Sequence, residues 1–345
     1  MSRRTLTAAI AVLALGASLT SCSNSPEAGG DRTAAEGPSI TLRLGVGDPA
    51  ASAVGVTAEH FAEEVAEASD GRITIETFPD GTLFGGDQNA AVNLLGNGTL
   101  DATLISTSVY ASFEPRMNAL SLPYLFTDVE EFASYLEGEP GQELLGALDK
   151  LGIHGAALMT RTPRHTTNSV RPIEMPEDFD GIKLRVPQND LWVKFFGSLG
   201  ANPTPMDFKE VYTALQLGTI DGQENPLEVP VANKFFEVQD YLSLTGHISD
   251  GYVLGFNKET WDALDEDAQA ILTEAAAKTA KFKTQYDNDE AEKTLATLEE
   301  GGVAINELAP EGQEAFQEAA MKIYPEVEDL IGADFVASSL EFLGR

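Results

Sequence analysis

No stretch narrows the folds open to this chain more than Gly181 to Pro226, GIKLRVPQNDLWVKFFGSLGANPTPMDFKEVYTALQLGTIDGQENP. Ile182, Leu184 and Val186 alternate with Lys183 and Arg185, the period of two that puts the apolar set on one face of a strand. Pro187 ends that strand. Leu191, Phe195, Phe196 and Leu199 then share one face of a helix over about 189–199, and Gly200 with two prolines stops it. Asp207 with Glu210 three residues on has the form of a capping box, so a second helix is expected there, with Val211, Ala214 and Leu215 on its buried side. Strand, helix, loop, helix, strand is the repeating unit of an α/β domain.

In such domains ligands collect at the carboxyl ends of the parallel strands, and Arg185 lies at one, two residues before the proline. A guanidinium there offers a rigid fork of donors that matches a carboxylate. The same arginine could equally be a surface residue paired with one of the chain's many acids.

The remainder repeats the theme. Residues 40–46 alternate as a first strand. Val54, Ala58, Phe61, Ala62 and Val65 follow at helical spacing up to Gly71, and Ile73, Ile75 and Phe78 form the next strand. Asp87 caps a short helix with Ala90, Ala91, Leu94 and Leu95 on its apolar side, and a strand follows at 102–105. Short connections of this kind predict a mainly parallel sheet. Ser106 and Thr107 stand just past that strand, placed either to hydrogen-bond a ligand or to cap the next helix. A buried strand is expected at 152–158. Residues 265–300 read as one long helix of about 54 Å, too long for one small lobe, and 309–343 read as further helix.

The words LRVP, NPTPM, EVYTALQ and DGQENP, in this order and spacing, resemble the solute receptor of TRAP transporters, DctP type, near the sialic acid receptor branch. The likeness runs from about residue 41 to the C-terminal helices. It implies a type II periplasmic-binding-protein-like fold of two α/β lobes with a long helix spanning both, closing on an organic acid. It assigns the carboxylate salt bridge to Arg185, a second contact on that carboxylate to Asn225 of ENP, and packing on the ligand body to Phe208. Arg164, four residues before Asn168, takes the place of a second cleft arginine; a loop arginine paired with Glu174 or Asp178 is the alternative. Gln188 joins Phe208, Ser106 and Thr107 in judging the size of the ligand. Asp87 falls where the same receptors place a ligand-facing aspartate, although an N-cap explains it as well. His247 lies near the expected cleft rim, as a ligand contact or a polar-network residue. Ser106, within LDATLIST, stands where sialic acid receptors carry glutamate, and losing that carboxylate makes sialic acid itself doubtful as the solute.

The first residues, MSRRTLTAAIAVLALGASLTSC, form a signal peptide (1–21): Arg3 and Arg4 precede an apolar run, and Leu19, Thr20 and Ser21 lead into Cys22 as in a lipobox. Cys22 is the only cysteine, and its lipidation would tether the protein outside the cytoplasm. Residues 22–39 are small and polar, a flexible linker. The expected division is then 40–160 with 250–285 as the first lobe, 161–249 with 286–308 as the second, and 309–345 as helices packing across both. No later segment reaches the roughly 18 apolar residues of a membrane span.

A formal net charge of −33 makes nucleic acid an implausible partner. Catalysis is equally unsupported: the four histidines show no helix-borne zinc spacing, and there is no G-x-S-x-G, P-loop or dinucleotide fingerprint. The expectation is a monomeric, cofactor-free, lipid-anchored receptor that hands its acid to a TRAP permease. Its rivals are the receptor of an ATP-driven importer, a binder of zwitterionic or cationic osmolytes, and a sensor.

Overall fold

The computed structural model describes residues 37–345, so the signal peptide, Cys22 and most of the linker lie outside the described residues. Eleven strands are present among the described residues: β1 (Ile40–Val46), β2 (Ile73–Phe78), β3 (Ala102–Ser106), β4 (Ile153–Thr160), β5 (Arg164–Asn168), β6 (Lys183–Val186), β7 (Asn202–Pro205), β8 (Gly222–Pro226), β9 (Tyr241–Leu244), β10 (Gly251–Asn257) and β11 (Ala304–Glu307). They form two sheets, in the orders β2-β1-β3-β10-β4 and β11-β9-β5-β8-β6-β7.

The first sheet grows as its alternation predicts. Ile40 stands opposite Ile73 and Leu42 opposite Ile75 in a parallel pair, β3 pairs parallel to β1 on its other side, and the helix Ala53–Ala68 covers one face with Val54, Ala58, Phe61 and Val65. The return strand β10 runs antiparallel between β3 and β4 and makes this a mixed sheet. In the second sheet β6 is parallel to β7 and β8, while β5 is antiparallel to β8 and β9.

The chain crosses between the sheets after β4 and again before β10. The two crossings are tied to each other: the Arg161 amide donates to the Asp250 carbonyl at 3.2 Å and the Arg164 amide to the Ile248 carbonyl at 2.9 Å. The 35-residue helix Glu266–Glu300 starts on Asp265, whose carboxylate caps the Ala268 amide. Its first half buries Leu272, Ala275 and Ala276 against the first sheet, and its last turn buries Leu298 with Leu242 and Leu227 of the second. One rod therefore braces both lobes.

Three local readings change. Residues 202–205 form an edge strand, although Pro203 and Pro205 read as breakers; a proline is tolerated where no further strand needs its N–H. Asp207 makes no capping bond. It accepts instead from Gln188 Nε2 at 2.5 Å, and the segment begins as the short 3-10 turn Phe208–Glu210 before the helix Val211–Gln216. The C-terminal region is two helices, Pro310–Ile331 and Ala333–Phe342, parted by Gly332 at φ +102°, a left-handed conformation that favours glycine. Phe316, Ile323 and Val327 of the first pack in a core that includes Leu120 and Phe196, one from each lobe.

Candidate functional site

The carboxyl ends of β1, β3, β4 and β6 converge on a cavity between the lobes, enclosing about 490 Å³ with part of that space open to solvent. From the second lobe come Arg185, Pro187, Phe208 and Asn225. From the first come Asp48, Gln88, Ser106 and Ser108, with Arg161, Arg164 and Tyr252 from the crossings.

Arg185 is where the strand period puts it. Leu184 and Val186 are fully buried in the core, while Arg185 points the other way into the cavity and is 5 % exposed. Its Nε and Nη2 donate to the Met206 carbonyl at 3.2 and 2.8 Å, and its guanidinium lies 5.8 Å from the Phe208 ring centroid. No carboxylate pairs with it among the described residues. Burial is the main reason its pKa falls from 12.5 to about 10; Glu224 opposes that fall and Arg164 adds to it. A guanidinium has five N–H donors, so after two bonds to one carbonyl it retains donors for a ligand.

Arg164 is as buried, at 2 %, but fully engaged. Nε and Nη2 donate to the Glu224 carboxylate at 2.6 and 2.8 Å, Nη1 to Asp250 at 3.0 Å, and Nη2 also to Asn225 Oδ1 at 2.9 Å. Neither Glu174 nor Asp178, the alternative partners read from the sequence, is involved: the Asp178 carboxylate accepts instead from the Glu174 and Met175 amides, both at 2.9 Å. Burial alone would raise the pKa of Glu224, but Arg164 and then His247 bring it down to about 2. Asn225 is thereby fixed from two sides, since its Nδ2 donates to Gln223 Oε1 at 2.5 Å.

Asp250 joins the lobes. Its carboxylate accepts from Ser106 Oγ (2.8 Å), Thr107 Oγ1 (2.5 Å), the Gly251 amide (2.9 Å) and both crossing arginines. Ser106 still lines the cavity, whereas Thr107 is wholly buried behind it. Arg161 donates to Asp250 at 3.1 Å and stacks on Tyr252 at 4.5 Å, and its Nε finds no acceptor among the described residues.

The remaining candidates sit off the cavity wall. Asp87 caps the helix Gln88–Gly96 through the Ala90 amide at 3.0 Å, and its neighbour Gln88 faces the cavity instead. Gln188 lies at the seam of the lobes: its carbonyl accepts from Ser112 Oγ at 2.9 Å and its side chain from Asn89 at 3.4 Å. Beside it Asn189 Nδ2 reaches the Ser108 carbonyl at 3.1 Å, and Lys209 Nζ the Gly85 carbonyl at 3.0 Å, so the lobes meet over the site. His247 is a buried network residue against Phe195 and Phe196. Burial lowers its pKa against the pull of Glu224; Nε2 donates to the Glu224 carboxylate at 3.1 Å, and Nδ1 lies 2.7 Å from the Thr245 hydroxyl.

Sequence reasoning missed Asp48, Gln88, Arg161 and Tyr252. The carboxyl-end rule that pointed to Ser106 also marks Asp48, two residues after β1, and Arg161, directly after β4. It does not mark Tyr252, because β10 runs antiparallel and presents its beginning to the cleft. No cluster of metal-ligating side chains and no helix long and apolar enough to cross a membrane occur among the described residues.

Comparison with known proteins agrees with this architecture. The family model "DctP: Bacterial extracellular solute-binding protein, family 7" matches residues 45–329. The 2,3-diketo-L-gulonate-binding periplasmic protein of Escherichia coli is 32% identical over 265 residues, 77% of this chain and 80% of its own. The sugar acid binding protein of Advenella mimigardefordensis, solved with galactonate, superposes with a TM-score of 0.84 at 36% identity, covering 88% of this chain and 97% of that one. A TRAP periplasmic solute binding protein of Sulfurospirillum deleyianum with bound succinate gives 0.82 at 29%, covering 88% and 98%.

Proposed function

Because the chain belongs to the DctP family of bacterial extracellular solute-binding proteins, family 7, a family of binding proteins and not of enzymes, we propose that it holds an organic acid by its carboxylate between the two lobes and delivers it to a TRAP permease. One observation carries the reading: Arg185 is a buried guanidinium on the cavity wall without an ionic partner among the described residues. An unpaired buried charge is costly, and a carboxylate ligand supplies the missing partner with matched geometry. The relatives' named solutes, diketogulonate, galactonate and succinate, are all organic acids, which supports the same class here.

Asn225 presents its amide beside Arg185, held in place by Arg164 and Gln223, and Phe208 supplies an apolar wall. Thr107 and His247 act from behind, by setting Asp250 and Glu224, and Arg164, on the cavity wall, bonds both carboxylates. Gln188 and Asp87 act at the rim, through the lobe seam and the helix cap. Binding stabilises the closed arrangement because the ligand touches both lobes. The lobes are taken as 40–160 with 250–285 and 161–249 with 286–308, under a C-terminal cap at 309–345. The receptor acts as a monomer held to the membrane by lipid on Cys22. Cys22→Ser should release it into the soluble fraction; retention in the membrane fraction would contradict the anchor.

Thermal-shift screening of acids against amines tests the class. A true ligand at about 100 times its Kd adds about 2.7 kcal/mol. Stabilisation by amines alone would replace this reading with that of a zwitterionic or cationic osmolyte receptor, the rival that the chain's acidic balance favours.

A further inference from the structure

Asp48 has no structural task that accounts for its burial. It is 8 % exposed on the cavity wall, and its carboxylate takes no hydrogen bond and forms no ion pair among the described residues; only its backbone carbonyl is used, by the Asp80 amide at 3.0 Å. A buried carboxylate left so is expensive, and burial does push its pKa from 3.8 up to about 6, against the pull of Arg161. The charges it feels most are Arg161, Glu228, Asp80 and Lys283, whereas Arg185 feels Glu224, Arg164 and Asp207. Asp48, just after β1, and Arg185, on β6, line the cavity from opposite lobes. Gln88 lies on the Asp48 side, so close that a Cβ at Gly47 would come within 2.7 Å of its Nε2.

Resting on the carboxylate reading of Arg185, we infer that Asp48 is a specificity-determining residue that selects a hydroxyl-bearing monocarboxylate and rejects a dicarboxylate. The chemistry around Asp48 decides between the candidate groups. A second carboxylate cannot donate to Asp48, and the cations there are already answered: Arg161 by Asp250 and Glu228, and Lys283 by Asp287. An ammonium can donate to Asp48 but has no lone pair to accept from the Gln88 amide. A hydroxyl donates to Asp48 and accepts from the Gln88 amide. Only a group that is both donor and acceptor satisfies that side.

Calorimetric titration of the purified protein with two length-matched sets tests this: erythronate, succinate, butyrate and 4-aminobutyrate, then galactonate, adipate, hexanoate and 6-aminohexanoate. The hydroxy acid of one set should bind at least about 10-fold more tightly than its matched dicarboxylate. Asp48→Asn should weaken the hydroxy acid by about 10- to 100-fold and tighten the dicarboxylate. Asp48→Ala, with the melting temperature recorded for both variants, separates a local change of preference from misfolding. Equal binding of hydroxy acid and dicarboxylate by the unaltered protein, a preference unchanged in both variants, or tightest binding by the amino acids would each overturn the inference. Failure of every acid to bind the unaltered protein would instead defeat the Arg185 reading beneath it.

Discussion

The second sheet holds two buried arginines on strands that flank β8, and their surroundings are opposite. At the β5 end Arg164 is enclosed by Glu224, Asp250 and Asn225, a network in which each buried charge has a partner. At the β6 end Arg185 has one backbone carbonyl and an aromatic face. Residue type and burial are the same, so neither separates scaffold from site. The difference is whether the protein itself completes the charge: where it does, the pair organises the fold, and where it does not, the guanidinium is left open for the solute we propose.

The largest effect that could break this contrast is on stability. Arg164→Met leaves the fully buried Glu224 without its arginine and Asp250 with Arg161 alone, and should cost about 3–5 kcal/mol in urea denaturation, with Arg185→Met far less damaging. Comparable losses in the two variants would erase the distinction.

Next comes acid sensitivity at the completed end. Glu224 titrates at about 2 in the folded protein against an ordinary value of 4.5, so its contribution is present above 4.5 and lost as pH falls towards 2. That contribution is of order 3 kcal/mol, and Glu224→Gln should flatten this limb of the stability profile. An unchanged acid limb would mean that the ion pair adds little.

The incomplete side should behave with the opposite sign. Asp48 has a folded pKa of about 6, above its ordinary 3.8, so its stabilising contribution is full below 3.8 and lost as pH rises through 6. Asp48→Asn should thus be more stable than the unaltered protein by about 2–3 kcal/mol at pH 7.5, a gain that vanishes by pH 4. A gain that persists at pH 4 would assign it to something other than charge. Smallest of all, Phe208→Ala should weaken acid binding by about 10-fold, and Gln188→Ala, at the exposed seam, should change it by less.

The parts of this design that the sequence discloses are those set by local period and by single strand ends. Alternation from Ile182 to Val186 fixes which way Arg185 points, and helical spacing from 265 to 300 announces the brace between the lobes. What stays hidden depends on distant partners. Asp250 gains its role only when β10 returns antiparallel and sets residue 250 beside 106, 107, 161 and 164. The Asp207–Glu210 spacing does suit a cap, but Gln188, brought near by the end of β6, takes that carboxylate first. Thr107 and His247 carry hydrogen-bonding groups that the fold spends inside its own network, on Asp250 and Glu224.

Calorimetric titration of Arg185→Met and Arg185→Lys with the tightest-binding acid tests the central claim most directly. Both variants should fold, and both should lose at least about 30-fold in affinity, lysine included because a point charge cannot reproduce two parallel bonds. Affinity within a few-fold of the unaltered protein in either variant would contradict the assignment of the carboxylate to Arg185.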